Sequence, residues 1–237
     1  ALLLGNGMAT AQSLADLRND AATPGDVTTY GMGWSQQRYA AGKQIDTKHV
    51  DKLVPVWNLS LNHSANASTQ PLLIDGVLYR TTIDARVMAM NAKDGKTLWT
   101  AKAADYKQGY SLTLAPLVAG GMLITGISGG EYGARGFING WDLKTGEKKW
   151  HRWTIPAPGE KGSETWAPDR YKDGGGPTWL TGTYDPELDL VYWGVGNGGP
   201  WDPATRGGDS LYIGSVLALR PATGEIVWHY QFSPGDP

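Results

Sequence analysis

The sequence predicts an all-β fold built from repeated small sheets, and three observations support that prediction. A signature of a polar turn, glycine, three residues and tryptophan occurs three times. Each copy follows a predicted β-hairpin, and recurrence at a period of roughly 50 residues is typical of propellers and similar radial arrays. The composition agrees, because 33 glycines and 14 prolines punctuate the chain, while 11 tryptophans against 2 phenylalanines make indole rings the main packing units. We therefore predict a partial β-propeller.

The three signature copies differ in their spacer residues but keep the glycine and the tryptophan in place. They are Asn91–Trp99, Asp142–Trp150 and Arg220–Trp228. We interpret the closing tryptophan of each copy as a packing pin that wedges between neighbouring sheets, and not as part of a functional site.

The predicted hairpins share a pair of apolar runs around a turn. In Pro71–Tyr79 the turn is Asp75-Gly76, a dipeptide that supplies the positive φ of a tight β-turn. Pro116–Ile124 repeats the arrangement around Gly120-Gly121, and Tyr184–Tyr192 repeats it with a longer turn. Hairpin and signature together define units at approximately 71–99, 115–150 and 182–228.

The rest of the chain sets the predicted domain limits. Strand signals begin at Leu53, whereas residues 153–178 are rich in proline and glycine and predict a functional surface loop. Residues 1–11 resemble the tail of a secretory signal peptide, although an ordinary disordered terminus would look similar. Three units cannot close a ring without leaving a sheet face bare, so we predict that residues 12–237 are an incomplete propeller domain.

Charge and cysteine content exclude several partners. A net charge of −2 and the absence of any basic run argue against nucleic acid. Zero cysteines exclude disulfides and thiolate metal sites. No stretch outside the leader has the apolar length of a membrane helix. The four histidines lack ligand spacing, and no nucleophile motif or phosphate loop supports hydrolase or nucleotide chemistry.

Two glycine-rich loops carry the candidate ligands. Gly126–Gly136 places five glycines around Glu131, and Trp193–Trp201 places Asn197 among glycines at the same stage of its repeat. In a propeller these two side chains would converge at one end of the axis, where a carboxylate and an amide oxygen suit a hard cation such as Ca²⁺. Two donors are too few for calcium, so further ligands must come from a cofactor, water or other sequence.

A third candidate is Trp179, which belongs to no signature and could offer its aromatic face to a planar ligand. Each candidate also has a purely structural interpretation: a solvated turn acid for Glu131, a left-handed turn residue for Asn197 and ordinary packing for Trp179. The residue pattern by itself leaves both interpretations open.

Seven segments, in this order, match a known family: Tyr30–Tyr39, Leu53–Trp57, Gly109–Pro116, Ser128–Gly133, Gly174–Trp179, Gly194–Trp201 and Tyr230–Pro234. Over nearly all of residues 14–237 the chain resembles the N-terminal part of the soluble alcohol dehydrogenases that depend on pyrroloquinoline quinone (PQQ). The resemblance implies an eight-bladed propeller with the quinone on its axis.

The resemblance also implies residue roles. Glu131 and Asn197 match the family's two metal ligands, and Trp179 matches the indole that stacks under the quinone. The positions that hydrogen-bond the quinone match Thr113, Ser128, Gly129 and Gly130. In such enzymes Ca²⁺, or a lanthanide in some members, polarises the quinone carbonyl, while an Asp accepts the proton of a primary alcohol and hydride moves to the quinone. Electrons leave through a cytochrome c, and the enzymes are periplasmic.

Two departures from the family pattern bear on activity. The family's catalytic Asp falls beyond residue 237, and about one blade's worth of sequence, with adjacent cysteines and an Arg near the quinone, is missing before Arg80. We therefore expect the 237 residues alone neither to hold the cofactor tightly nor to oxidise alcohols. The alternative is a non-catalytic propeller scaffold, which fits less well because a scaffold has no reason to keep Glu131, Asn197, Trp179 and Thr113 together.

Overall fold

The computed structural model describes residues 13–61 and 69–235, and these form three four-stranded antiparallel sheets, which we call blades 1 to 3. Blade 1 contains β1 (Leu72–Ile74), β2 (Val77–Thr81), β3 (Arg86–Asn91) and β4 (Thr97–Lys102). Blade 2 contains β5 (Leu117–Ala119), β6 (Met122–Thr125), β7 (Phe137–Asp142) and β8 (Lys148–Trp153). Blade 3 contains β9 (Thr183–Asp185), β10 (Leu190–Val195), β11 (Ser215–Leu219) and β12 (Ile226–Gln231). The all-β prediction is confirmed, with one blade for each predicted unit.

Helical structure in the described residues is limited to short pieces. The α-helices are α1 (Leu14–Arg18) and α2 (Pro203–Arg206). Single 3₁₀ turns occupy Asp20–Ala22, Val50–Lys52, Tyr106–Gln108, Gly130–Tyr132, Ser163–Thr165 and Arg170–Lys172. None of these helices is long and apolar enough to cross a membrane. The predicted leader, residues 1–11, lies outside the described residues.

The three predicted hairpins form as expected. Asp75 and Gly76 have φ angles of 49° and 74°, and the strands they join pair from Leu72 with Tyr79 to Ile74 with Val77. Positive φ at both central residues is what a two-residue hairpin turn requires. The same turn occurs at residues 120–121 of blade 2, and the longer turn of blade 3 occupies 186–189.

The signature tryptophans pin neighbouring blades together, as predicted for the first two. Trp99 of blade 1 donates from Nε1 to the carbonyl of Leu143 in blade 2 at 3.0 Å. Its ring covers Gly146 so closely that a Cβ there would lie 2.5 Å from it. Trp150 donates to the carbonyl of Pro221 in blade 3 at 2.8 Å and covers Gly224 in the same way. No turn among the described residues receives Trp228, whose role as a pin therefore stays a prediction.

The expected strand at Leu53 is wrong: no strand precedes β1 among the described residues. Val54 and Val56 are 77% and 83% exposed, so the apolar residues of this segment are not packed against a sheet face. Trp57 nevertheless acts as a pin, because its Nε1 donates to the carbonyl of Ala92 at 2.9 Å and its ring covers Gly95. The sequence pattern missed it because Trp57 lacks the preceding glycine of the signature.

The first strand of each blade faces the common centre. β5 contacts β9 directly, and the N-terminal segment reaches β1 through a bridge between Val27 and Leu73. Leu17 of α1 is buried in the same apolar core as the inner strands. Between β8 and β9 the predicted loop contains only 3₁₀ turns, and Trp166 packs there with Ile155 and Ile213 in a small second core.

Candidate active site

The blades bring the glycine-rich loops to one end of the molecule. Within each blade the hairpin turn lies at one end of the sheet, so the loop after the second strand lies at the other. The loops 126–136 and 196–214 follow β6 and β10, and the connections 103–116 and 154–182 enter β5 and β9 at that same end. Because the blades are aligned through their tryptophan pins, these four segments meet. We call this the loop end.

Two hydroxyl groups meet at the entrance to blade 2. Ser111 and Ser128 exchange backbone hydrogen bonds of 3.2 and 2.8 Å, which holds the two segments side by side. This pairing brings the Thr113 Oγ1 and the Ser128 Oγ within 2.7 Å of each other. Each hydroxyl can donate one hydrogen and accept others, so the pair can bind the oxygen atoms of a polar ligand.

Thr178 fixes the segment that carries Trp179. Its hydroxyl accepts from the Ile127 N–H at 2.8 Å and donates to the Phe137 carbonyl at 2.7 Å, and its own N–H donates to the Ile127 carbonyl at 2.8 Å. The side chain is fully buried. These three bonds place Trp179 one residue away from the Ile127–Ser128 segment, and the sequence analysis had not singled out Thr178.

Glycines let the loops stack backbone on backbone. A Cβ on Gly126 would lie 2.0 Å from the Thr178 carbonyl oxygen, and a Cβ on Gly175 would lie 2.6 Å from the Gly199 nitrogen. A Cβ on Gly199 would in turn lie 3.4 Å from the Gly130 carbonyl oxygen. The loops that carry Glu131 and Asn197 therefore adjoin, with the 174–179 segment against both.

These segments enclose a cavity of about 400 Å³. A volume of this size is typical of pockets that bind small molecules and cofactors. Trp179 is 48% exposed and turns part of its ring surface into the space. The lining residues are Ser111, Thr113, Ser128, Gly129, Glu131, Tyr132, Pro177 and Trp179.

A second cavity, of about 290 Å³, lies on the other side of Glu131. It is lined by Gly130, Glu131, Gly133, Asp173, Gly199, Pro200 and Trp201. Glu131 thus lies between the two cavities, whereas Asn197 lines neither. Asn197 is half-buried, and its Nδ2 donates to the Gly198 carbonyl at 3.3 Å.

Arg135 anchors the loop that carries Glu131. Its guanidinium donates to the Ile155 carbonyl, lies 4.2 Å from the centre of the Trp153 ring and pairs with Glu160 at 3.4 Å. Burial lowers the pKa of this guanidinium. Burial also raises the pKa of Tyr110, whose hydroxyl donates to the Arg135 carbonyl at 3.2 Å. The sequence analysis missed this anchor, for which the only signal was its place inside the glycine-rich loop.

Most of the predicted site residues line one of the two cavities, but Asn197 does not. Thr113, Ser128, Gly129, Glu131 and Trp179 line one cavity, and Gly130 lines the adjoining one with Glu131. Asn197 lies in the neighbouring loop. Within residues 13–61 and 69–235 no group of three or more His, Cys, Asp or Glu side chains could hold a metal. A cation at Glu131 would need amide, backbone, water or cofactor oxygens to complete its shell.

The aligned blades define the class of the protein as a propeller, and the cavity lined by hydroxyls and an indole at one end has the size and lining of a small-molecule pocket. Comparison with known proteins defines the family. The family model described as "PQQ: Glucose/ethanol/alcohol dehydrogenase, beta-propeller domain" matches residues 28–110 and 101–236. The chain therefore belongs to the PQQ-dependent alcohol dehydrogenase family.

Individual relatives agree with the family match. The quinohemoprotein alcohol dehydrogenase ADH IIB of Pseudomonas putida is 33% identical over 287 aligned residues, which cover 94% of this chain and 42% of that protein. The structure of the quinohemoprotein alcohol dehydrogenase ADHIIG from Pseudomonas putida HK5 superposes with a TM-score of 0.74 at 31% identity, covering 96% of this chain and 43% of that one. A europium-containing methanol dehydrogenase gives 0.73 at 28% identity, with 93% and 51% covered. The chain thus spans about half or less of the length of each relative.

The alignment with ADH IIB also shows an internal difference. It extends over 287 positions, more than the 237 residues of this chain. The relative therefore contains positions inside the matched region that this chain lacks. Blade 1 is a complete sheet all the same, since β2 pairs with β3 from Val77 with Asn91 to Thr81 with Val87 without a register shift.

Proposed function

We propose that these residues form the part of a PQQ-dependent alcohol dehydrogenase that holds the quinone and its metal, in an enzyme that oxidises a primary alcohol to an aldehyde. One observation carries this proposal. Two hydroxyls, a carboxylate and an indole, from segments widely separated in sequence, line a single cavity of about 400 Å³. Membership of the family then indicates which ligand the cavity takes.

We assign the quinone contacts to the cavity wall. The Thr113 and Ser128 hydroxyls, already 2.7 Å apart, would bind its carboxylate and ring oxygens together with the backbone of Gly129 and Gly130. Trp179 would support the planar ring system by stacking, because an indole offers a broad, flat and polarisable surface. The glycines suit this role because they let the backbone approach the ligand closely.

We assign the metal to Glu131 and Asn197. No cation among the described residues pairs with the Glu131 carboxylate, and the Asn197 Oδ1 accepts no hydrogen bond from them. Both oxygens are therefore available to a hard cation, either Ca²⁺ or a lanthanide. The lanthanide option is supported by the europium-containing relative. When bound, such a metal supplies Lewis-acid polarisation and the quinone supplies a two-electron acceptor for hydride.

The remaining parts of the proposal rest on the family. We place no general base among these residues, and we propose that a cytochrome c accepts the electrons in the periplasm. The 237 residues alone should therefore bind the quinone only weakly and should not turn over alcohol.

Titration with PQQ and Ca²⁺, followed by tryptophan fluorescence, tests the binding site. We expect quenching of Trp179 that depends on Ca²⁺ and that weakens at least about tenfold in Glu131→Gln, because a ligand oxygen then loses its charge. Glu225→Gln is the matched control, since Glu225 is an exposed acid at the opposite end of blade 3.

Dye reduction with ethanol, measured on the same samples, tests activity. Equal quenching in Glu131→Gln and Glu225→Gln would contradict the metal assignment. Robust ethanol oxidation by the 237-residue protein would contradict the expectation that it holds the quinone weakly and does not oxidise alcohols.

A further inference from the structure

Arg206, the last residue of α2, has no solvent-exposed surface. Burying a guanidinium is costly unless it is hydrogen-bonded, so its contacts identify what the charge is used for. Its Nη1 donates to the carbonyl of Pro200, and its Nη2 donates to the carbonyl of Gly235 at 3.2 Å. The first of these contacts lies in the loop that carries Asn197.

The packing of Arg206 follows that loop closely. A Cβ on Gly198 would lie 2.7 Å from the Arg206 Nε and 2.9 Å from its Cδ, so the glycine makes room for the arginine. The backbone carbonyl of Arg206 accepts from the Ala167 N–H at 2.6 Å, which ties α2 to the long connection between blades 2 and 3. The Asp202 side chain caps the start of α2 through the Ala204 N–H at 3.1 Å. These bonds fix α2 at both ends and so fix the position of Arg206 beside the loop.

The Asn197 loop is held by backbone hydrogen bonds and, farther along, by the Arg206 side chain. On one side it is fixed by backbone bonds, from the Gly196 N–H to the Pro177 carbonyl at 2.7 Å and from the Gly176 N–H to the Asn197 carbonyl at 2.9 Å. The next two residues are both glycine and contribute little stiffness of their own, although the Gly199 N–H donates to the Gly174 carbonyl at 2.9 Å. Beyond them, Arg206 holds the Pro200 carbonyl.

We infer that Arg206 is a positioning residue, which fixes the Asn197 loop so that the amide oxygen of Asn197 stays directed at the metal. This inference rests on the proposed function, because it assumes that Asn197 is a metal ligand. Lysine should be a poor substitute, since a single ammonium lacks the planar fork that reaches two carbonyls at once.

Terbium(III) alone is a suitable probe, because Trp179 and Trp201 line the two cavities that Glu131 separates and can sensitise terbium emission there. We expect Arg206→Gln to weaken Tb³⁺ binding about tenfold, and Arg206→Lys to weaken it by less. Arg152→Gln is the control, because Arg152 is a half-buried arginine that also donates to a carbonyl, Gly224 at 2.8 Å, but lies away from the site. It should bind Tb³⁺ like the unmodified protein.

A double-mutant cycle separates positioning from general stability. If Arg206 acts through Asn197, Arg206→Gln should cause no further loss of Tb³⁺ affinity in an Asn197→Ala background. The number of waters on the bound Tb³⁺, obtained from emission lifetimes in H₂O and D₂O, should rise in Arg206→Gln as it does in Asn197→Ala. An additive loss, or unchanged affinity in both Arg206 variants, would overturn the inference. Circular dichroism at the titration temperature establishes whether each variant is folded. If Arg206→Gln is unfolded, the test is made with Arg206→Lys.

The same experiment distinguishes this inference from the proposed function. If Glu131→Gln abolishes Tb³⁺ binding while the Arg206 variants bind normally, only the role of Arg206 is wrong. If the unmodified protein does not bind Tb³⁺, or binds it as well as Glu131→Gln does, the metal site itself is wrong and the inference about Arg206 falls with it.

Discussion

The two ends of the blades differ in how closely they repeat from one blade to the next. At the turn end, where the hairpin turns lie, blades 1 and 2 share the same tight hairpin and all three blades have a tryptophan-covered glycine. At the loop end, the connection between the second and third strands grows from residues 82–85 in blade 1 to 126–136 in blade 2 and 196–214 in blade 3. We conclude that the repeated turns and pins form the scaffold, whereas the long loops that depart from the repeat carry the candidate site.

At the turn end, the same indole-to-carbonyl hydrogen bond recurs at each pin. The indole N–H of Trp57, Trp99 and Trp150 donates in each case to the carbonyl three residues before the glycine that the ring covers. A bulged register in the last strand pair of each blade accompanies this arrangement. Because the acceptor is a backbone group, the residue that supplies it can vary, which is why Ala92, Leu143 and Pro221 serve equally well.

Truncation of a pin should give the largest effect at the turn end. Trp150→Ala removes a ring packed between blades 2 and 3 together with its hydrogen bond, and should lower the free energy of unfolding by about 3 kcal/mol. Trp228→Ala is the matched control. Trp228 is 44% exposed and no described turn receives it, so its loss should cost under about 1 kcal/mol. Urea unfolding of both variants measures the difference.

Equal losses from Trp150→Ala and Trp228→Ala would break the comparison. That result would mean that Trp228 contributes as much packing as Trp150, and that the pin role does not depend on a tryptophan-covered turn.

Sequence reasoning predicted the turn end well because short-range chemistry determines it. Asp75-Gly76 and Gly120-Gly121 specify their turns locally, and the glycine-to-tryptophan spacing of the signature specifies the pins at Trp99 and Trp150. The pattern missed Trp57 because no signature glycine stands four residues before it. The exposed run at Leu53 read as a strand because apolar alternation does not reveal whether a neighbouring strand is present.

The loop end was predicted only in part, because contacts between distant segments determine it. The family resemblance named the cavity residues, but nothing in the local sequence indicated that Thr178 would bond to Ile127 and Phe137. The burial of Arg206 was equally hidden, since a lone arginine at the end of a short helix is typical of a solvated surface. Long-range backbone contacts of this kind become visible only when the fold is known.

Removal of the Thr178 hydroxyl, which lies at the loop end, should lower the free energy of unfolding by an intermediate amount. Thr178→Val keeps the shape of the side chain but leaves the buried Ile127 N–H and Phe137 carbonyl without that partner, which should cost about 2 kcal/mol of unfolding free energy. Quinone-dependent quenching of Trp179 should weaken as well, because Thr178 holds its segment.

Thr181→Val provides the control for Thr178→Val. The Thr181 hydroxyl makes a single bond, to the Ala115 carbonyl at 2.8 Å, and is only half-buried. Its loss should cost about 1 kcal/mol or less and leave the quenching unchanged. If the two variants lose quinone binding equally, Thr178 has no special part in placing Trp179.

The smallest expected effect lies between the two ends, at His151 on β8. Burial, followed by the charges of Lys148, Arg135 and Arg152, lowers the pKa of His151 from the ordinary 6.5 to about 4. The folded protein therefore keeps this ring neutral, with its Nδ1 2.7 Å from the Asn139 Oδ1, while the unfolded chain takes up a proton below pH 6.5. The stability that His151 contributes is complete above pH 6.5 and is lost as the pH falls towards 4. With partial solvent screening, the loss between about pH 7 and about pH 5 should be about 1 kcal/mol.

Urea unfolding of the unmodified protein and of His151→Gln at both pH values isolates this contribution, because all other titrating groups are common to the two proteins. The unmodified protein should lose about 1 kcal/mol more than the variant on acidification. If the two proteins lose the same amount, the ring is already accessible to protons in the folded state and is not held neutral by burial.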